Sequence, residues 1–135
     1  MSKDPHGLYQ HALDALNKAY VPYSRHPVGA AILADDGKIY SGCNVETANY
    51  KGTCAEAGAI AAMINGGAHR IETLAVVGPT DMLCSPCGDC RQRIREFADL
   101  NDTAIHVFSK DGVLLKTYTL NQLLPDSFGP ENLPD

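Results

Sequence analysis

Three cysteines and one glutamate have the spacing of a metal-assisted hydrolytic site. Cys87 and Cys90 follow Pro86 and lie three residues apart, which suits the first turn of a helix, where residues i and i+3 share a face. Cys54 also lies where a helix is expected to begin. Three thiolates would bind a zinc ion and leave its fourth position open, which distinguishes catalytic zinc from structural zinc. Glu56, two residues after Cys54, is placed to handle the proton of a metal-bound water.

The expected positions of the cysteines at helix N-termini would also favour their thiolate form. Helix N-termini carry partial positive charge and free N–H groups, which lower the pKa of a thiol, so Cys54, Cys87 and Cys90 are predicted to be deprotonated ligands. Zinc would bring the pKa of its water toward about 7, and Glu56 would pass the proton to the substrate. The layout is the three-cysteine form of a zinc-deaminase pattern, which predicts attack of water on an sp² carbon with loss of ammonia.

Other functions of the cysteines are left open. A structural zinc site would need a fourth ligand, for which Cys84 is the candidate. Cys84, Cys87 and Cys90 also have the spacing of an iron–sulfur ligand set, but Ile94 stands where the fourth cysteine would be. Cys43, in a predicted strand, is expected to be a small hydrophobic residue. A Cys/His hydrolase is a further alternative, although nothing in the sequence pairs any of the five histidines with a cysteine.

Length and composition are typical of a globular protein. The chain has 135 residues, of which 44% are hydrophobic and 20% charged, and we expect a single domain over residues 1–135. The net charge of −5 argues against a nucleic-acid surface. No stretch approaches the roughly 20 apolar residues of a membrane helix. The start lacks an apolar signal core and five cysteines fit reduced thiols better than disulfides, so a cytoplasmic location is expected.

The hydrophobic pattern predicts alternating helices and strands. The elements expected, in chain order, are a helix over about residues 5–20, strands over 28–34 and 38–46, a helix over 55–64, a strand over 73–78, a helix over 86–98, strands over 103–108 and 113–119, and a short helix over 120–124. Turns at Asp36-Gly37 and Asp111-Gly112 are expected to form hairpins. The alternation predicts an α/β fold with a mostly parallel sheet covered on both faces, and with the cysteines in the crevice at the strand ends. The small residues 55–62 suit close packing either on the sheet or against another subunit.

Separated motifs along nearly the whole chain resemble the small homotetrameric, zinc-dependent cytidine deaminases. The motifs, in order, are Tyr20-Val21-Pro22-Tyr23-Ser24, Val28-Gly29-Ala30-Ala31, Gly42-Cys43-Asn44-Val45-Glu46, Cys54-Ala55-Glu56, Ser85-Pro86-Cys87-Gly88-Asp89-Cys90-Arg91-Gln92 and Leu123-Leu124-Pro125-Asp126-Ser127-Phe128. The resemblance implies a three-layer α/β/α fold with a five-stranded mixed sheet. It also implies Zn²⁺ on the three cysteines, with Glu56 as the proton shuttle.

The resemblance further implies which groups bind a nucleoside. Asn44 and Glu46 match the family's ribose-binding pair, and an amide and a carboxylate on one side of a strand are able to grip hydroxyl groups. The Ala55 N–H and the Ser85 carbonyl correspond to contacts with the pyrimidine ring and its exocyclic amine. Phe128 matches an aromatic residue that caps the site of a neighbouring subunit.

Three features depart from the family pattern. Ala57 stands where an arginine that hydrogen-bonds the thiolates is usual, so the three thiolates and Zn²⁺ would keep one net negative charge unless helix dipoles or Arg91 offset it. A more electron-rich zinc would be a weaker Lewis acid, which predicts slower turnover. His26 replaces an aromatic residue and would either stack on the base or lie in a surface loop. The loop between Glu46 and Cys54 is shorter than usual.

The predicted function is hydrolytic deamination of cytidine and 2′-deoxycytidine for pyrimidine salvage, by a zinc-bound hydroxide with Glu56 as proton shuttle. One alternative keeps the reaction but has N4-modified cytidines or a nucleoside antibiotic as substrate, because Ala57, His26 and the short loop would enlarge the pocket. The other is a non-catalytic metal-binding protein, in which Glu56 would be dispensable. The expected partners are the nucleoside and other copies of the chain, with no nucleic acid and no membrane.

Overall fold

The fold is a three-layer α/β/α arrangement around a five-stranded mixed sheet, as the resemblance implied. The structure, a computed structural model, describes residues 7–134. Its elements are, in chain order, α1 (Leu8–Leu16), β1 (Gly29–Ala34), β2 (Ile39–Cys43), α2 (Ala55–Asn65), β3 (Ile71–Val77), α3 (Gly88–Phe97), β4 (Ala104–Phe108), β5 (Leu114–Thr119), α4 (Leu120–Leu123) and a short 3₁₀ helix, Pro130–Asn132. Within residues 7–134, no helix has the length and apolar character needed to cross a membrane.

The strand order is β2-β1-β3-β4-β5, and the expectation of a mostly parallel sheet is wrong. Of the four neighbouring strand pairs in this sheet, β3–β4 is parallel and the other three are antiparallel. The Asp36-Gly37 and Asp111-Gly112 turns form the two predicted hairpins, β1–β2 and β4–β5. The crossover through α2 does connect strands of the same direction, β2 and β3. However, β1 lies between them and runs the opposite way, which the order of elements along the chain does not indicate.

One end of the sheet collects the strand ends that lead to both cysteine-bearing helices. Gly29, the first residue of β1, pairs with Cys43 at the end of β2 and with Val77 at the end of β3. The loops that precede α2 and α3 therefore leave the sheet side by side. This is the edge at which the alternating pattern predicted a ligand crevice.

The first helix is shorter than the predicted range of residues 5–20. Residues 5 and 6 lie outside the described part of the chain, and α1 ends at Leu16. Tyr20 instead forms an isolated parallel bridge with Val45. The Tyr20 N–H donates to the Asn44 carbonyl at 3.1 Å, and the Glu46 N–H donates to the Tyr20 carbonyl at 2.9 Å. This long-range pairing competes with helical hydrogen bonding and fixes the backbone of the predicted ribose-binding residues.

The small residues of α2 bring the helix directly onto the sheet. Ala55 and Ala59 are fully buried in the core cluster that they share with β1 and β3. Gly42 of β2 lies so close to α2 that an added Cβ atom would be 2.4 Å from the Ala59 backbone nitrogen. The sheet-packing interpretation of residues 55–62 is confirmed for this face of the helix.

We expect Gly42→Ala to lower the free energy of unfolding by about 1–3 kcal/mol, because backbone atoms of α2 occupy the space that the methyl group needs. Gly58→Ala is the matched control. Gly58, in α2, lies at the same contact between α2 and β2. A Cβ atom added to it would come no closer than 3.5 Å to a neighbouring atom. Replacing this helical glycine should increase stability by about 0.5–1 kcal/mol. Urea denaturation of both variants measures the difference, and equal stability of the two would contradict the close contact.

Candidate zinc and substrate site

The three predicted cysteine ligands lie together at the N-termini of α2 and α3. The Sγ atoms of Cys54, Cys87 and Cys90 all lie within 4.8 Å of one another, and those of Cys54 and Cys87 are 3.9 Å apart. A tetrahedral zinc ion with Zn–S bonds of about 2.3 Å separates its sulfurs by about 3.8 Å. The cluster therefore fits zinc, and its three protein ligands leave one of the four tetrahedral positions for a non-protein ligand.

Two of the ligands have the same local structure. Cys54 is the N-cap of α2, with φ −78° and ψ 160°, and Cys87 is the N-cap of α3, with φ −69° and ψ 168°. Cys90 follows in the first turn of α3. This helix begins at Gly88, two residues later than expected from Pro86, because Cys87 has the extended backbone of a cap rather than a helical one. The three sulfurs thus lie close together because two belong to N-cap residues and the third to a residue in the first turn of α3.

Burial makes two of the thiols weaker acids. Desolvation raises the pKa of Cys54 and the pKa of Cys90, and the charge of Glu56 raises both further. Desolvation therefore opposes the effect of the helix N-termini at these two thiols, and the predicted deprotonated ligands need the charge of a metal ion as well. A bound cation supplies the opposite charge that thiolates need in such a site.

Glu56 is a buried carboxyl group beside the cysteine cluster. It lies in the first turn of α2, is 4% exposed, and lines the same cavity as Cys54 and Cys87. Burial raises the pKa of the Glu56 carboxyl above its ordinary value. A raised pKa brings a carboxyl closer to the range in which it both accepts and releases a proton at neutral pH, as a general acid and base must.

A cavity of 240 Å³ joins the cysteine cluster to the predicted nucleoside contacts. The predicted substrate contacts that line it are His26, Asn44, Glu46, Ala55 and Ser85. Ala55 is the first residue of α2, where a helix leaves N–H groups without intrahelical partners. Phe128 does not line this cavity and is 54% exposed on the C-terminal segment. Five of the six predicted substrate contacts therefore line one cavity of a single chain, and Phe128 does not.

The Asn44 side chain is fixed by backbone groups on both of its polar atoms. Its Nδ2 donates to the carbonyl oxygen of His26 at 2.9 Å, and its Oδ1 accepts from the N–H of Val28 at 2.9 Å. These bonds orient the amide and leave one amide hydrogen and one lone pair for a ligand. Asn44 thereby also ties the end of β2 to the loop that carries His26.

The Glu46 carboxylate is held by three donors. The backbone N–H groups of Tyr23 and Ser24 donate to Oε1 at 3.1 and 3.0 Å, and the Ser24 hydroxyl donates to Oε2. These hydrogen bonds, that of the Ser24 hydroxyl above all, lower the pKa of Glu46. The group therefore stays an anion and a hydrogen-bond acceptor across the neutral range.

His26 lies at the cavity beside a fourth cysteine. Its Nε2 is 3.8 Å from the Sγ of Cys84, which also lines the cavity. Cys84 lies outside the three-sulfur cluster, so the geometry does not support the structural-zinc or iron–sulfur alternatives. The sequence did not indicate that Cys84 lines the cavity, because its position depends on the path of residues 78–87. His26, for which a surface location was equally open, faces the substrate cavity.

Arg91 does not hydrogen-bond the cysteine cluster. Its guanidinium donates to the carbonyl oxygens of Pro86 and Leu123 at 2.8 Å each and lies 3.4 Å from the Ser85 hydroxyl. These bonds fix the loop that carries the predicted Ser85 contact. Arg91 therefore does not take the place of an arginine at position 57 as a hydrogen-bond donor to the sulfurs.

A second cavity, of 450 Å³, adjoins the first at Glu46 and Gly52. Tyr23 and Tyr50 line it with their rings edge to face, 5.9 Å between centroids. Tyr50 is 84% exposed and has a φ of 60°. Sequence reasoning missed both tyrosines as site residues. Tyr23 had a signal, since it stands in one of the motifs, but Tyr50 had none beyond being an aromatic residue in a polar loop.

Comparison with known sequences is consistent with this geometry. Residues 2–106 match the family model described as the cytidine and deoxycytidylate deaminase zinc-binding region. A cytidine deaminase of Sporosarcina psychrophila is 44% identical over 120 residues, which cover 88% of this chain and 87% of that protein. A cytidine deaminase of Mycobacterium tuberculosis is 40% identical over 124 residues, covering 91% of this chain and 88% of that protein.

Solved structures have the same fold. The cytidine deaminase of Burkholderia pseudomallei superposes with a TM-score of 0.85 at 37% identity, and the match covers 95% of this chain and 100% of that one. The cytidine deaminase of Mycobacterium tuberculosis gives a TM-score of 0.81 at 38% identity, covering 95% of this chain and 99% of that one. The predicted resemblance is confirmed, and the range matched by the zinc-binding family model contains the cluster of Cys54, Cys87 and Cys90. The chain belongs to the cytidine and deoxycytidylate deaminase family of zinc enzymes.

Proposed function

We propose that this protein hydrolyses cytidine and 2′-deoxycytidine to uridine and 2′-deoxyuridine, with release of ammonia. One observation carries the proposal: the buried carboxyl of Glu56 and two cysteines of the three-sulfur cluster, Cys54 and Cys87, line a single nucleoside-sized cavity. A structural metal site has no use for such a carboxyl, which would cost stability without a chemical role. The relatives' printed name, cytidine deaminase, supports cytidine as the substrate.

Glu56 moves the protons of the proposed reaction. When bound, Zn²⁺ would act as a Lewis acid that lowers the pKa of water toward about 7. Glu56 accepts a proton from the attacking water and passes it to the base. The water oxygen bonds to C4 as this first proton reaches N3. Glu56 then moves the second proton, from the new hydroxyl on C4, to the exocyclic nitrogen; the bond between C4 and that nitrogen breaks, ammonia leaves, and C4 keeps its oxygen as a carbonyl. The raised pKa of Glu56 supports this double role.

The other cavity residues bind and orient the nucleoside in this proposal. Asn44 donates and accepts hydrogen bonds at the ribose hydroxyls, and the anionic Glu46 accepts them. At the opposite end of the cavity, the Ala55 N–H and the Ser85 carbonyl contact the pyrimidine ring and its amine. His26 forms a side wall against the base. The fixed orientation of Asn44 and Glu46 by backbone groups supports their assignment, since preorganised groups bind with less loss of entropy.

We propose that the protein acts as a homotetramer in which Phe128 of one chain caps the site of a neighbour. The exposure of large aromatic residues at the cavity rim and on the tail supports assembly; they are Tyr20, Tyr23, Tyr50 and Phe128. The whole chain would form one deaminase domain. Its role would be pyrimidine salvage in the cytoplasm, where the five free cysteines would stay reduced.

We expect Glu56→Gln to lower kcat for cytidine at least about 10²-fold, because glutamine cannot accept a proton. The loss of cytidine absorbance in the ultraviolet measures turnover, with zinc content determined on the same samples. Glu72→Gln, an exposed carboxyl on β3, is the control and should match wild type. Turnover by Glu56→Gln at the wild-type rate would contradict the proton-shuttle role.

We expect Cys87→Ser to lose most of its zinc, because it removes one of three ligands that lie within 4.8 Å of each other. Cys84→Ser is the matched control. It changes a cysteine on the same loop whose sulfur lies outside the cluster, so its zinc content should equal that of wild type. Metal analysis after gel filtration measures both. Loss of zinc from Cys84→Ser, with retention in Cys87→Ser, would contradict the ligand assignment.

We expect Glu46→Gln to raise the KM for cytidine roughly tenfold, because it replaces a charged acceptor by a neutral amide. Its NH₂ group would also face the N–H donors of Tyr23 and Ser24. The kcat should change much less, since Glu46 is assigned to the ribose and not to the reacting carbon. Steady-state kinetics on cytidine and 2′-deoxycytidine measure the split. An unchanged KM for both nucleosides would remove Glu46 from the binding site.

A further inference from the structure

The C-terminal segment presents an exposed aromatic ring on an immobilised backbone. Phe128 is 54% exposed, yet its carbonyl oxygen accepts a hydrogen bond from Gln92 Nε2 at 2.9 Å. Both neighbours of Phe128, Ser127 and Gly129, are also fixed by side chains. An exposed ring with no task has no need of such fixation, since exposed termini usually stay loosely held.

The centre of this fixation is a buried arginine on α3. Arg95 is 8% exposed, and its Nε donates to the Ser127 hydroxyl oxygen at 2.8 Å. Its Nη2 forms an ion pair with Glu131 Oε2 at 2.5 Å. Removing a guanidinium from water is costly unless its donors are met, so Arg95 strongly favours the tail position that meets them. The tail is thereby bonded on both sides of Phe128.

Gly129 shows that the tail follows one path over this arginine. Gly129 is buried, and an added Cβ atom would lie 2.3 Å from Glu131 Oε1 and 2.5 Å from Arg95 Cζ. Its N–H donates to Asn132 Oδ1 at 2.8 Å, which closes the turn of the tail behind Phe128. The backbone therefore lies directly on the guanidinium, and a larger residue at position 129 would displace the Arg95 and Glu131 side chains.

We propose that Gln92, Arg95 and Glu131, here called the tail clasp, are positioning residues that hold Phe128 in the orientation in which it caps the substrate site of a neighbouring copy. The inference rests on the proposed function, since it requires a nucleoside site in that copy. Phe128 does not line the cavity of its own chain, so a capping role for its ring requires a second chain. The clasp is built on α3, the helix whose N-terminus carries Cys87 and Cys90. One rigid helix thus supports the metal site of its own chain and the cap of the next.

The clasp predicts a defined kinetic signature. Arg95→Gln and Glu131→Ala should each raise the KM for cytidine about tenfold, which corresponds to about 1.4 kcal/mol of lost binding, with kcat and zinc content unchanged. Phe128→Ala should have the same effect. Adding Arg95→Gln to Phe128→Ala should cause no further rise, because Arg95 acts only through the ring.

Glu131 is largely exposed, so its variant keeps the test valid if Arg95→Gln folds poorly. Arg93→Gln, which breaks an exposed ion pair on the same helix, is the control.

Mixed assemblies test the transfer between chains. Arg95→Gln chains are assembled with an excess of Glu56→Ala chains, which are expected to be inactive but have intact tails. Turnover then comes from Arg95→Gln sites that face intact tails, and its KM should return to the wild-type value. A KM that stays raised would overturn the inference, as would a rise in KM when Arg95→Gln is added to Phe128→Ala.

Hydrogen exchange separates a failure of the clasp from a failure of the proposed function. In Arg95→Gln, the amides of residues 127–132 should exchange faster, while those of α3 stay as in wild type, and this readout needs no turnover. Unchanged exchange would overturn the clasp even if wild type deaminates cytidine. Faster exchange with an unchanged KM would also overturn it, because the tail would then present nothing to a site. Absence of turnover by zinc-loaded wild type would instead contradict the proposed function.

Discussion

The meeting of two helix N-termini at one end of the sheet is the constraint on which the site depends. Cys54 and Cys87 cap helices that are remote in sequence, and their sulfurs lie 3.9 Å apart because β2 and β3 end on either side of the first residue of β1. A tetrahedral ion tolerates little error in that distance. The close packing of α2 on Gly42 therefore acts on the chemistry as well as on stability, since it sets where Cys54 lies.

Two carboxyl groups at one cavity have opposite environments, and the contrast separates their roles. Glu56 is desolvated and its pKa is raised, whereas Glu46 accepts three hydrogen bonds and its pKa is lowered. A carboxyl that easily gains and loses a proton suits proton transfer, and one that remains an anion suits hydrogen bonding to hydroxyls. The difference arises from the surroundings of each group. Glu56 is buried in the first turn of α2, while Glu46 accepts hydrogen bonds from the N–H groups of the loop after α1.

Local patterns predicted the element order and the three cysteine ligands, because both depend on spacing of a few residues. Properties that depend on long-range pairing were missed. Because β1 lies between β2 and β3 and is antiparallel to both, the sheet is not mostly parallel as expected. The bridge between Tyr20 and Val45 made α1 shorter than predicted. The Arg95–Glu131 pair joins residues 36 apart and has no periodic signal. The desolvation that raises the pKa of Cys54 and the pKa of Cys90 depends on burial, which the sequence shows poorly.

The departure at Ala57 has a structural consequence for charge. Three thiolates and a divalent zinc carry one net negative charge, and Arg91 is engaged by the carbonyls of Pro86 and Leu123. The groups that remain close to the sulfurs are the N–H groups of the first turns of α2 and α3, since Cys54 and Cys87 cap these helices. Each helix start contributes roughly half a positive charge. With an alanine at position 57, these two helix starts oppose the negative charge that three thiolates and Zn²⁺ would carry.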